Sequence, residues 1–253
     1  MNCRATEQFH GDALEPTSIH GVCDEVEVIA SCLGASVAMD APEKRSYLEV
    51  DVIANRNLIE EAKRAGIRRF LYIAAFANQG YQQTAYIRAH EQVVELLRTS
   101  GMSYTVVRPT GIFSALHDIL KIAKMGFGIV IGSGEARTNP IHQREVAEIC
   151  LANLFEGSTE MPVGGPEVVS RRGIAETAFR VLNKKARVIS VPPGLMRFSA
   201  RMMGPINQRK AELFDFATAV SISESVAPVV GVMRLEDYFR NLLKESQLRP
   251  IRH

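Results

Sequence analysis

Tyr86 and His90 stand four residues apart in a stretch of helical periodicity, so both project from one face, and Val93 and Leu97 carry that stripe toward the interior. A tyrosine with an imidazole neighbour at the rim of a sheet is a proton donor with a tuning group. The same spacing also describes an amphipathic core tyrosine beside a satisfied histidine. Gly11-Asp12-Ala13, Cys32-Leu33-Gly34, Ala74-Ala75-Phe76 and Arg108-Pro109-Thr110-Gly111 each follow an apolar run. Open parallel sheets take ligands at the carboxyl ends of their strands, and small residues there admit a flat nucleotide; turn formation alone accounts for the glycines equally well. Asn139 and His142, stiffened by Pro140, read as ligand-orienting groups or as a helix cap. His10, His20, His117 and His253 have no metal-ligand spacing, and Cys3, Cys23, Cys32 and Cys150 lack a C-x-x-C, so neither a metal site nor a disulfide framework is expected and the four cysteines read as free thiols. Gly132-Ser133-Gly134 lacks a third glycine and comes too late in the chain for a dinucleotide loop.

The elements that must position these residues follow from the change of hydrophobic period along the chain. Val26 to Cys32 and Phe70 to Phe76 are continuous apolar runs, as in strands covered on both faces. Between them, residues 46–65 place Val50, Ala54, Leu58, Ala62 and Ala65 on one helical face, closed by Gly66. A second helix over 84–100, a capping Gly101 and the strand Tyr104 to Val107 repeat the unit. Crossovers of this length predict a parallel sheet with right-handed connections. Phe9 to Ala13 reads as one more strand end, so at least three parallel strands precede residue 110. Further on, the pattern predicts helices over 116–124, 144–155 and 172–182, strands over 128–131 and 187–191, and mostly helix to the end. The fold class is α/β, a Rossmann-like doubly wound parallel sheet, N-terminally incomplete, with a small, mostly helical C-terminal lobe. Residues 1–155 form the core and 156–253 the substrate-side lobe, in which Leu195, Met196, Phe198, Met202 and Met203 either line the cleft or pack on the sheet.

The 253 residues carry 30 basic against 28 acidic side chains and are 46% hydrophobic, an ordinary globular balance with no dense basic run that would track nucleic acid phosphates. No apolar run is long enough for a transmembrane helix, and the first residues do not form a signal peptide, which predicts a cytoplasmic protein.

GDALEP (11–16), VEVIASCLGAS (26–36), NRNLIEEAKRAGIRRFLYIAAF (55–76), YIRAHE (86–91), YTVVRPTGIF (104–113), NPIH (139–142) and VGGPE (163–167), in that order, resemble the NmrA-like, atypical short-chain dehydrogenase/reductase family and its nucleoside-diphosphate-sugar epimerase-like members. The resemblance implies an NAD(P)H-dependent oxidoreductase acting on a small organic substrate, as monomer or homodimer. It places Asp12 and Ala13 against adenine, Cys32, Leu33 and Gly34 beside the ribose, and Ala74, Pro109, Thr110 and Gly111 along the cofactor. Tyr86 falls on the family's catalytic tyrosine and His90 on its lysine; Asn139, His142 and Met196 are the substrate-side residues expected from the turn and from the apolar lobe.

Three departures accompany it. The family opens with a strand and a G-x-x-G-x-x-G loop whose N–H groups cradle the pyrophosphate, yet ten residues precede Gly11. Weak NAD(P)H binding is therefore expected, together with a natural protein that begins further upstream. Ala74-Ala75 replaces the usual serine, and His90, largely neutral at pH 7, replaces a cation. The competing expectation is a non-catalytic dinucleotide-sensing or interaction protein.

Overall fold

The computed structural model describes residues 7–37, 44–155 and 159–248. Four parallel strands, in the order β1 (Val28–Ser31), β2 (Arg69–Ile73), β3 (Ser103–Pro109) and β6 (Thr159–Val163), make the central sheet. The crossovers run through α1 (Ile53–Arg64) and α2 (Ala85–Arg98), and the return to β6 passes through α4 (Gln143–Ala152). Alternation along the strands separates the two faces. Phe70, Tyr72 and Val106 pack with Ile59 and Ala62 of α1 and Val93 and Leu97 of α2. Leu71, Val107 and Val163 face Val146 and Cys150 of α4 on the other side. Gly66 (φ 74) and Gly101 (φ 81) take the left-handed conformation just beyond α1 and α2, where a side chain would be strained.

A second group surrounds a two-stranded parallel pair, β4 (Gly128–Ile131) with β8 (Val188–Val191). Here α3 (His117–Lys124), α5 (Arg171–Val181) and α8 (Leu235–Leu248) bury Phe113, Leu120, Phe179 and Phe239 together. The short strands β5 (Arg137–Thr138) and β7 (Val169–Ser170) pair antiparallel. Helices α6 (Pro193–Met203) and α7 (Gln208–Ser221) pack on each other.

Two sequence expectations are corrected. Phe9 to Ala13 is not a strand. Ser18 Oγ accepts from the Asp12 N–H at 2.7 Å, Asp12 Oδ1 accepts from the Leu14 N–H at 3.0 Å, and Pro16 opens a 3₁₀ turn, so local side-chain bonds draw these residues into turns. The helix expected from residue 46 begins as a π-helical turn, Leu48–Val52, before α1. Of the expected face Ala54 and Ala62 are buried and Val50, Leu58 and Ala65 half-buried, and the extra residue in that turn brings Asp51, Val52, Asn55 and Ile59 inward as well. Cys3, the N-terminal Met and His253 lie outside the described residues.

Arg108 at the end of β3 fixes α2 to the sheet. Its guanidinium bonds Glu91 of α2 and, at 3.0 Å, Glu160 of β6. This bracket sits one residue from His90 and ties the helix that carries Tyr86 to β3 and β6.

Candidate active site

A cavity of about 840 Å³ opens at the carboxyl ends of β1, β2 and β3. Its floor is Cys32, Leu33 and Gly34 after β1, Ala74, Ala75 and Phe76 after β2, and Pro109, Thr110 and Gly111 at the end of β3. Tyr86 and His90 enter from α2, and Phe216 and Val220 of α7 close the side away from the sheet. The parallel strands end together because their registers run without a slip from Val28–Arg69 through Arg69–Ser103. The ladder continues as far as Phe76, whose N–H donates to the Pro109 carbonyl at 3.1 Å.

His90 is buried, with Nδ1 2.6 Å from the Tyr72 hydroxyl and Nε2 without a partner. Burial, with Arg108 adding repulsion, lowers its pKa to about 4, so the imidazole is neutral at pH 7. Burial also raises the Tyr72 pKa, so a protonated phenol faces a neutral imidazole and Nε2 is left to a ligand. Tyr86 packs edge-on to His90 at 4.7 Å and to Tyr47 at 5.0 Å, with Phe216 at 4.5 Å. Burial, then the Asp51 charge, raises its pKa, which keeps the phenol protonated.

Asp51 and Asn55, which no motif in the sequence marks, fasten the first cavity loop. Asp51 Oδ1 accepts from the Ala35 N–H at 2.6 Å, and Asn55 Nδ2 donates to the Leu33 carbonyl at 3.1 Å while its Oδ1 accepts from Ser31 Oγ at 2.7 Å. The other Asp51 oxygen, Oδ2, is buried and unpartnered, and the residue lines the cavity. Burial raises its pKa to about 7 against the bond from Ala35 and the charge of Arg209. Arg209 of α7 lies 4.2 Å over the Tyr47 ring and donates to the Ser36 carbonyl, binding this corner to the C-terminal helices. A polar pair four apart, 51 and 55, inside an apolar helical stripe was the available signal.

Of the residues picked from the sequence, Cys32, Leu33, Gly34, Ala74, Tyr86, His90, Pro109, Thr110 and Gly111 come together around the cavity. Asp12 and Ala13 lie in the N-terminal turn, where Asn57 Nδ2 donates to the Ala13 carbonyl at 2.9 Å, and do not line it. His142 caps α4, with Nδ1 accepting from the Arg144 N–H at 3.0 Å, and packs edge-to-face with Phe113 and Tyr238. Met196 and its neighbours on α6 stand outside the lining, and α7 supplies the apolar wall instead. Asn139 is fully buried. It donates to the carbonyls of Gly165 at 3.2 Å and Ala227 at 2.9 Å and accepts from the Ala227 N–H at 3.0 Å. Asn139→Ala is expected to cost about 2 to 3 kcal/mol, because buried backbone groups in two loops lose their partners; urea denaturation checks it, and a loss below about 0.5 kcal/mol would contradict the structural role.

The cavity suits the nicotinamide and ribose end of a dinucleotide. A flat ring finds Gly34, Ala74 and Gly111 on the floor, and the orphaned Asp51 Oδ2 and His90 Nε2 supply polar partners. A Cβ on Gly34 would lie 3.7 Å from Asp51 Oδ2, occupying the space beside it. For the phosphates the lining holds a single lysine, Lys121, and no arginine among the described residues.

Residues 3–157 match the NAD(P)H-binding family profile. The chloroplastic divinyl chlorophyllide a 8-vinyl-reductase of Cucumis sativus is 25% identical over 266 aligned positions, covering 94% of this chain and 62% of that protein. The photosystem II assembly factor Ycf39 of Guillardia theta is 23% identical, covering 89% and 69%. The chain thus spans about three-fifths of the vinyl-reductase length. Among solved structures, a nucleoside-diphosphate-sugar epimerase from Staphylococcus aureus superposes with a TM-score of 0.72 at 16% identity, over 91% of this chain and 82% of that one. An NADPH-dependent quinone oxidoreductase from Escherichia coli, complexed with NADPH, gives 0.68 at 14%, over 93% and 83%. These likenesses establish the Rossmann-like α/β fold, and the match across residues 3–157 makes this chain a member of the NAD(P)H-binding family.

Proposed function

We propose that this protein is an NAD(P)H-dependent reductase of the NmrA-like, atypical short-chain dehydrogenase/reductase type, acting on a small organic molecule held between the strand ends and α7. The observation that carries the reading is Tyr86, a protonated phenol on the wall of a cavity whose floor is built from three parallel strand ends. When bound, NAD(P)H supplies a hydride. Tyr86 donates the accompanying proton to the substrate oxygen or carbon and is reprotonated from solvent through the cavity mouth. Residues 32–34, 74 and 109–111 hold the nicotinamide and ribose, and Asp51 Oδ2 accepts from a ligand hydroxyl or amide. His90 acts without a charge, its Nε2 offered to the ligand and its Nδ1 held by Tyr72. Residues 1–155 serve as the cofactor core, and the lobe from 156 contributes Phe216 and Val220 to the substrate side.

A second reading, dinucleotide sensing without turnover, draws on Ala74 and Ala75, which put no hydroxyl beside Tyr86. Calorimetric titration with NADH and NADPH, paired with cofactor oxidation over a panel of quinones, enones and aldehydes, separates the two. Binding with turnover supports the reductase, binding with no turnover across the panel supports the sensor, and no heat with either nucleotide overturns both. The chain has no tryptophan, so enhancement of the nucleotide's own fluorescence gives an independent readout.

A further inference from the structure

Between Thr177 and Ala211 the chain carries eight lysines and arginines and no aspartate or glutamate, in a protein whose net charge is only +2. Some of these bases are used by the fold. Arg180 pairs with Glu236 at 3.0 Å, Lys184 donates to the Lys124 carbonyl at 2.9 Å, and Arg209 stacks on Tyr47. Lys185, Arg187, Arg197 and Arg201 are exposed and have no acidic partner among the described residues.

The same stretch holds α6, which turns its large apolar residues outward. Leu195 is 55% exposed, Phe198 61% and Met202 60%, and Ile206 in the following turn is 84% exposed. The three helical positions are spaced i, i+3 and i+7 and so form one stripe, while Ala200 on the other side is buried. Arg197 and Arg201, four apart, border the stripe along one edge. None of these side chains lines the cavity. An apolar stripe left in water is unfavourable unless something covers it, and a border of guanidinium groups selects a negatively charged cover.

We propose that α6 and the turn after it are a docking surface for an anionic lipid bilayer. Leu195, Phe198, Met202 and Ile206 enter the boundary between headgroups and acyl chains, and Arg197 and Arg201 lie at the level of the lipid phosphates. Nucleic acid would use the charges and leave the apolar stripe in water, whereas an anionic bilayer offers phosphates at the level of Arg197 and Arg201 and an apolar phase at the level of the stripe. No helix among the described residues is long and apolar enough to cross a membrane, so the contact is peripheral.

The test uses the full chain with Phe198→Trp, which becomes its only tryptophan. With vesicles containing phosphatidylglycerol the emission shifts to the blue and is quenched by brominated acyl chains, and the effect weakens as salt is raised. Vesicles of phosphatidylcholine alone give little. Arg197→Glu with Arg201→Glu lowers affinity for the anionic vesicles by about tenfold or more, and Leu195→Ser with Met202→Ser abolishes the blue shift, both variants retaining the wild-type circular dichroism. Three results would overturn the proposal: no shift with anionic vesicles at low salt, a shift that appears with protein concentration in the absence of lipid, which assigns the stripe to a second copy of the chain, or Leu195→Ser with Met202→Ser binding vesicles as tightly as wild type, which leaves only a phosphate contact.

Discussion

Tyr86→Phe is expected to lower reductase turnover by about two to four orders of magnitude, the range associated with loss of a positioned general acid, while NAD(P)H affinity stays within about threefold. The ring stays where it is, because its position is set by edge contacts with Tyr47 and His90 and by Phe216, none of which involves the hydroxyl. What is lost is a proton donor. The burial and the Asp51 charge that raise its pKa keep that donor loaded across the neutral range, so the wild-type rate should show no alkaline limb from this group below pH 9. Single-turnover kinetics with saturating cofactor distinguishes the cases. An unchanged chemical rate in the variant would return Tyr86 to core packing, and a parallel collapse of cofactor affinity would mean that the hydroxyl binds rather than donates.

Asp51→Asn is expected to stabilise the protein at pH 8 by on the order of 2 to 4 kcal/mol and to flatten the dependence of stability on pH between about 4 and 7. The sign follows from the direction of the shift. The folded-state pKa is raised to about 7, above the usual carboxylate value, so the native state holds a proton that the unfolded chain has already released. The favourable contribution is complete below the unfolded pKa and is lost as pH rises through 7. Asparagine keeps an oxygen for the Ala35 N–H and places a neutral amide where the unpartnered Oδ2 stood. Urea titrations at pH 5 and pH 8 measure both parts. Equal destabilisation at the two pH values would show that Asp51 is held by a partner that favours its charge.

The strands and crossovers were legible because their signals are local. FLYIAAF is apolar at every position, Gly66 and Gly101 stop the helices, and nine of the residues assigned to the cofactor and to catalysis follow strand ends or sit on the helix after β2. The misplacements arise where a distant partner decides. Asn139 carries the right chemistry for a ligand, but its amide is taken by two backbone loops far along the chain. Met196 and its neighbours are apolar enough for a cleft, yet α7 reached the cavity and α6 was left outside. Asp51 lies beside the stripe that a regular 3.6 period draws from Val50: Ala54 and Ala62 of that stripe are buried, but the π-helical turn brings Asp51 and Asn55 inward with them.

The bonds that Asn139 makes to Gly165 and Ala227 have a bearing on synthesis. Phe216 and Val220 wall the cavity, Ala227 ties the neighbouring loop, and all three come from the last fifth of the sequence. Loop closure over such separations is slow and comes late. While a ribosome is still translating residue 200, the strand ends are already present but have nothing to close against. The pocket therefore closes only after the segment through Ala227 has emerged, and a nucleotide bound there would stabilise chains that include this segment over shorter ones. Nascent chains stalled before Phe216 should gain no protease protection from NAD(P)H, whereas released chains should.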